Sequence, residues 1–250
     1  MFDRVVEMLR VCGTGESSIP PTVLYNEGWM LRLVLDWFAN HSTCGHELSF
    51  LSGSRWYSEA LIAPPFLPEF RGDPRAESYT HADGVVGHFR ILPGERAEAT
   101  LLPDARQLIV VEAKLGSRLS SGVTHARTYD QAARNVACIA NMLAAQELNP
   151  RAAERLGFYV VAPDQQIRSG VFRDLVTLAS IERKVSERVS QYAGARDSWF
   201  SSVFKPMLEH IDVGTLSWES ILDAMEAGGA EARYRVFYKR CLEFNALRSV

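Results

Sequence analysis

The sequence predicts an α/β fold with a mixed sheet flanked by helices, and three observations predict it. Residues 108–115 (LIVVEAKL) and 158–162 (FYVVA) are apolar and β-branched, as expected of strands buried on both faces. Residues 129–148 between them carry Val136, Ile139 and Leu143 among alanines at helical spacing. A helix joining two such strands makes them parallel neighbours.

The remaining elements follow in order. Residues 2–12 read as a short amphipathic helix, and Gly13 to Pro21 as a Gly/Ser/Pro linker. Asn26 is placed to cap a helix over 26–39, with Trp29, Leu31, Leu33, Val34 and Phe38 as its apolar content and Glu27 in its first turn. Residues 41–54 read as loop. A strand over 56–62 ends at Pro64-Pro65, and 64–80 is irregular. A strand over 83–92 carries Val85, Val86, Phe89 and Ile91 and stops at Pro93-Gly94. The Ser/Gly/Thr-rich stretch 116–128 is loop, and Pro163 stops the strand at 158–162. A long helix is expected over 170–192 and two or three more over 198–247.

The order is α-β-β-β-α-β-α with a helical tail. It divides the chain into an N-terminal helix and linker (1–21), a core (22–165) and a C-terminal helical extension packed on it (166–250). A homodimer through that tail is one expectation.

Composition narrows the function classes. With 47% hydrophobic and 23% charged residues, the 250-residue chain is globular rather than disordered. No apolar run approaches the roughly 20 residues that span a bilayer, so no membrane partner is expected. Met1-Phe2-Asp3-Arg4 lacks the basic head of a secretory signal, so the expected location is cytoplasmic. Cys12, Cys44, Cys138 and Cys241 form no CxxC pair, which leaves buried free thiols as their reading. A net charge of −3 argues against a protein that coats nucleic acid, but permits an enzyme with a local basic cleft. No GxGxxG or GxxxxGK[ST] pattern occurs, so phosphate-loop functions lose their main support.

The chemistry concentrates in Asp83, Glu112 and Lys114. Glu112 and Lys114 lie two apart on a strand and share a face, while Ala113 points the other way. An acid and a base ending a buried strand are costly unless paired, hydrated or bound to a metal. Asp83 begins the neighbouring strand of the expected meander. Two close carboxylates repel, and a hard divalent cation such as Mg²⁺ or Mn²⁺ removes the conflict. Lys114 beside it can hold water or stabilise charge building on phosphorus. The tripeptide Glu-x-Lys alone is weak: Glu182-Arg183-Lys184 repeats it mid-helix, where positions two apart diverge.

With Asp83 on the second strand and Glu112-Ala113-Lys114 on the third, residues 22–165 resemble the PD-(D/E)xK nuclease superfamily. Its restriction-endonuclease-like core is α-β-β-β-α-β. Glu27 in YNEGW and Gln131 in YDQAARN match its further helix-borne motif positions, whereas Ala82 replaces the Pro of the name. The resemblance implies metal binding by Asp83, Glu112, the Ala113 carbonyl and Glu27. It implies water activation or charge stabilisation by Lys114, and orientation of Lys114, water or substrate by Gln131. Arg118, Arg127 and Arg134 follow Lys114 and are candidates for phosphate contacts. The implied activity is Mg²⁺-dependent hydrolysis of nucleic acid, with DNA favoured. The alternatives are a catalytically silent nucleic-acid-binding or assembly protein on the same fold, and a phosphodiesterase of small nucleotides.

Overall fold

The structure is a computed structural model that describes residues 1–41, 45–94, 97–122 and 126–245. Helix α1 (Phe2–Arg10) precedes a short 3-10 turn and helix α2 (Glu27–Asn40), which starts where the Asn26 side chain accepts the Trp29 N–H. Strands β1 (Arg55–Ile62) and β2 (Thr80–Gly87) form an antiparallel pair. A hairpin follows, β3 (Phe89–Ile91) with β4 (Ala99–Leu101), and then β5 (Gln107–Ala113). Helix α3 (Gln131–Ala144), capped by Asp130, leads to β6 (Arg155–Ala162). Next come α4 (Asp164–Arg168), α5 (Leu178–Ser190), α6 (Asp197–Trp199), a π turn and α7 (Lys205–Leu208). Strand β7 (Asp212–Ser217), α8 (Trp218–Ala227) and α9 (Arg233–Phe244) complete the chain.

The main sheet runs β1-β2-β5-β6-β7. β5 is antiparallel to β2 and parallel to β6, which is parallel to β7. Successive residues of β5 feed opposite cores, as its unbroken apolar run predicts. Leu108 and Val110 pack with α3 through Val136 and Ile139. Ile109 and Val111 pack with α2 and α8 through Leu35, Phe38 and Leu222. Burying both faces of one strand stabilises by about 1.5–3 kcal/mol per large side chain before entropy is counted.

Three elements depart from the sequence expectation. The strand expected over 83–92 begins at Thr80 and ends at Gly87, so Asp83 lies mid-strand. Gly87 has φ +149° and sits against the Gln107 backbone, where a Cβ would lie 2.0 Å from the carbonyl oxygen. The chain turns there into the second, two-stranded sheet. The helix expected over 170–192 is shorter, because Gly170 (φ +82°) follows α4 and Thr177 caps α5. The 166–250 extension is not wholly helical: β7 lies within it and adds an edge strand. Asp212–Ser217 has no apolar run, and its half-buried residues are strand only through pairing with β6.

Among the described residues no helix is long and apolar enough to cross a membrane. Cys12, Cys138 and Cys241 are buried free thiols; Cys44 lies outside the described residues.

Candidate active site

The site forms where β2 and β5 part. Their ladder runs from Gly87↔Leu108 to Gly84↔Val111 and stops. The next residue of β2 is Asp83, which remains beside β1. The pleat slips by one residue here: Val85 and Ala82 both pack toward α3, although strict alternation would separate them. Opposite, Glu59 of β1 takes φ +56°, a left-handed conformation that costs a non-glycine residue about 1–2 kcal/mol. With no backbone partner across the gap, the Ala113 N–H donates to Asp83 Oδ2 at 2.8 Å. The N–H and C=O of a strand residue point to the same neighbour, so the Ala113 carbonyl faces that side too.

Glu112 continues the row of Leu108 and Val110 and is 1% exposed. Lys114 Nζ donates to its Oε1 at 2.6 Å, while its Oε2 is buried without a hydrogen-bond partner. Burial and then the Asp83 carboxylate push the Glu112 carboxyl up to about 8, against the opposing pull of Lys114. The backbone of Lys114 is pinned at both ends. Its N–H donates to the Val161 carbonyl at 2.8 Å, and its carbonyl accepts from the indole N–H of Trp218 at 2.9 Å.

Asp83, Ala113 and Lys114 line a cleft of about 480 Å³ with Glu27, Trp29, Arg32 and Glu59. Four residues singled out in the sequence thus converge on one cavity, and Glu112 is tied to it through Lys114. Glu59 also lines a neighbouring cavity of about 680 Å³ with Glu77 and His81. Glu59, Arg32 and Trp218 were not singled out as functional residues by sequence reasoning. Only the left-handed turn of Glu59 marks it, and that is invisible in one dimension.

Gln131 is not among the residues lining the cleft. Its Oε1 accepts the Ser120 N–H at 3.1 Å, and Arg134 Nη2 donates to Ser120 Oγ at 2.9 Å. Gln166 adds bonds to Gly116 N–H and the Ser117 carbonyl. These three side chains fasten the loop that leaves Lys114. Arg118 and Arg127 are exposed on that loop. Tyr129 is buried and packs on Phe66, in keeping with a core role.

Among the described residues no group of three or more His, Cys, Asp or Glu side chains converges to hold a metal. The donor set is two carboxylates and a carbonyl. That set suits Mg²⁺, which keeps several waters and takes one or two carboxylates plus substrate phosphate oxygens. The unpartnered Glu112 oxygen, and a carboxyl raised first by burial and then by Asp83, are features that a bound cation would relieve. No protein-family model, no curated protein and no solved structure matches the chain.

Proposed function

We propose that this chain is a divalent-metal-dependent nuclease with a restriction-endonuclease-like core, hydrolysing phosphodiester bonds of nucleic acid, DNA foremost. One observation carries the reading: Asp83 from one strand and the Glu112-Ala113-Lys114 segment from another meet at a parted sheet, with Glu27 in the same cleft. The element order supports it, since α2, β1, β2, β5, α3 and β6 form an α-β-β-β-α-β series, with the β3–β4 hairpin inserted before β5 and a 3-10 turn (Pro150–Ala152) before β6.

Asp83, Glu112 and the Ala113 carbonyl would hold Mg²⁺ or Mn²⁺, with Glu27 holding a bound water or a second ion. Such a metal polarises a phosphoryl oxygen and lowers the pKa of water. Lys114, held against Glu112, presents its ammonium to the negative charge that develops on the phosphoryl oxygens. Glu27, in the first turn of α2, lines the same cleft and would accept a hydrogen bond from a water held there. The Ala113 N–H fixes Asp83 Oδ2, so that carboxylate is oriented before substrate arrives.

A second reading has its own observation. Lys114 pairs with Glu112 Oε1 and the Ala113 N–H with Asp83 Oδ2, contacts that a catalytically silent nucleic-acid-binding protein could keep as structural ties. Incubation with supercoiled plasmid and with linear single-stranded DNA, in Mg²⁺, Mn²⁺ or EDTA, separates the two. The nuclease cuts in metal and loses cutting in Lys114→Ala. The silent protein binds DNA in a salt-sensitive way and cuts in neither form.

A further inference from the structure

We infer that Trp29 and Arg32 form a docking site for one unstacked nucleotide, so that the nucleic acid is single-stranded at the position cut. This rests on the nuclease reading and assigns its substrate.

Trp29 is 38% exposed on the wall of the cleft that holds Glu27, Asp83 and Lys114. The indoles of Trp37 and Trp218 are buried in the core, so Trp29 stands apart from them as an aromatic surface left open at a polar site. Arg32 lies one turn along the same face of α2. Its guanidinium carbon is 5.1 Å from the Trp29 ring centroid. Its Nε donates to Ser58 Oγ at 2.9 Å, and Nη2 lies 3.6 Å from Glu59 Oε1. Gly28 leaves room for this arrangement, because a Cβ there would lie 3.3 Å from Nη1. Arg32 is therefore held in place before anything binds.

Charge argues the same way. The cleft carries Glu27, Glu59 and Asp83, and a phosphodiester adds another negative charge. Arg32 and Lys114 are the cations among its lining residues, and Lys114 is engaged by buried Glu112. Lys114 is assigned to the reacting phosphoryl group, and Arg32, beside Trp29 and held by Ser58 and Glu59, is the contact for the phosphate of the docked nucleotide.

Size and ring chemistry name the form of nucleic acid. A cleft of about 480 Å³ is of small-ligand size and takes one nucleotide. A duplex offers base edges and backbone, because its base faces are covered by their neighbours. An exposed indole pairs with a base face, which an unstacked strand presents along its length and a duplex covers except at its ends.

The test is binding by the full chain in EDTA, which separates docking from cleavage. The probes are a fluorescein-labelled 12-nucleotide single strand of mixed sequence and a blunt duplex of the same sequence, followed by anisotropy. Trp29→Ala weakens single-strand binding by about fivefold or more, Trp29→Phe restores most of it, and duplex affinity stays within twofold. Arg32→Ala lowers the slope of log affinity against log salt on the single strand by about 0.7, and Trp29→Ala leaves that slope unchanged. The inference is overturned if Trp29→Ala stays within twofold on the single strand, if both probes weaken equally, or if the parent binds no single strand. Cleavage is scored separately in Mg²⁺. Trp29-dependent binding without any cutting retains this site and removes the nuclease reading. Cutting with Trp29-independent binding does the reverse.

Discussion

The indole N–H of Trp218 donates to the main-chain carbonyl of Lys114 at 2.9 Å, joining the start of α8 to the end of β5. Trp218 is fully buried, and its partner is the last backbone group before the loop that leaves the candidate site. The C-terminal extension therefore sets where the Lys114 backbone lies.

Trp218→Phe keeps most of the ring packing and removes the donor. Stability falls by about 1–3 kcal/mol, the cost of leaving a buried carbonyl without its donor. Under the nuclease reading, cutting at saturating DNA falls by about tenfold, because Lys114 is no longer held against the reacting group. Thermal melts and a cleavage time course measure both. Loss of stability with an unchanged rate would leave Trp218 as core packing alone.

The Glu112 carboxyl makes stability depend on pH. Burial and Asp83 raise it to about 8, above its ordinary 4.5, so the folded chain holds a proton that the unfolded chain has released. Its contribution is fully present below about pH 4.5 and is lost as pH rises through about 8. Melts in EDTA between pH 5 and pH 8.5 show Tm falling over that window. Glu112→Gln flattens the fall. Mg²⁺ binds the ionised form, so its stabilising effect grows with pH. A flat parent profile would rule out the coupled carboxylates.

Arg188 clamps α5 to the irregular segment before β2. It is 1% exposed, pairs with buried Glu77 at 2.8 Å and packs over the rings of Phe66 and Tyr192. Arg188→Ala strands the Glu77 charge and destabilises by about 3–5 kcal/mol. Urea unfolding gives this directly. The double variant Arg188→Met, Glu77→Leu recovers much of the loss, since the stranded charge is then gone.

Gln131 makes its contact with the loop rather than the cleft. Gln131→Ala speeds amide hydrogen exchange at Ser120, whose N–H it now accepts. Under the nuclease reading it lowers cutting less than Lys114→Ala does. Unchanged exchange with abolished cutting would instead make Gln131 a residue that touches substrate.

Much of this was legible in one dimension. The apolar run before Glu112 marks a strand buried on both faces, Asn26 marks the start of α2, and Asp83 with Glu112 and Lys114 marks charged side chains brought together on neighbouring strands. Those signals are local, because periodicity and capping depend on residues within one or two turns of each other. Other features depend on distant backbone. Residues 212–217 become a strand because β6 offers an open edge, and Phe89–Ile91 leaves the main sheet because Gly87 lets two backbones touch. The parting of β2 from β5, the left-handed Glu59, the bond from Trp218 to Lys114 and the seat of Arg32 arise likewise. Local patterning specifies which segments are buried strands and helices and which residues carry charge among them. Where the sheet parts and which side chains face the gap follow from contacts between remote strands, because their hydrogen-bond register leaves no periodic trace in either strand.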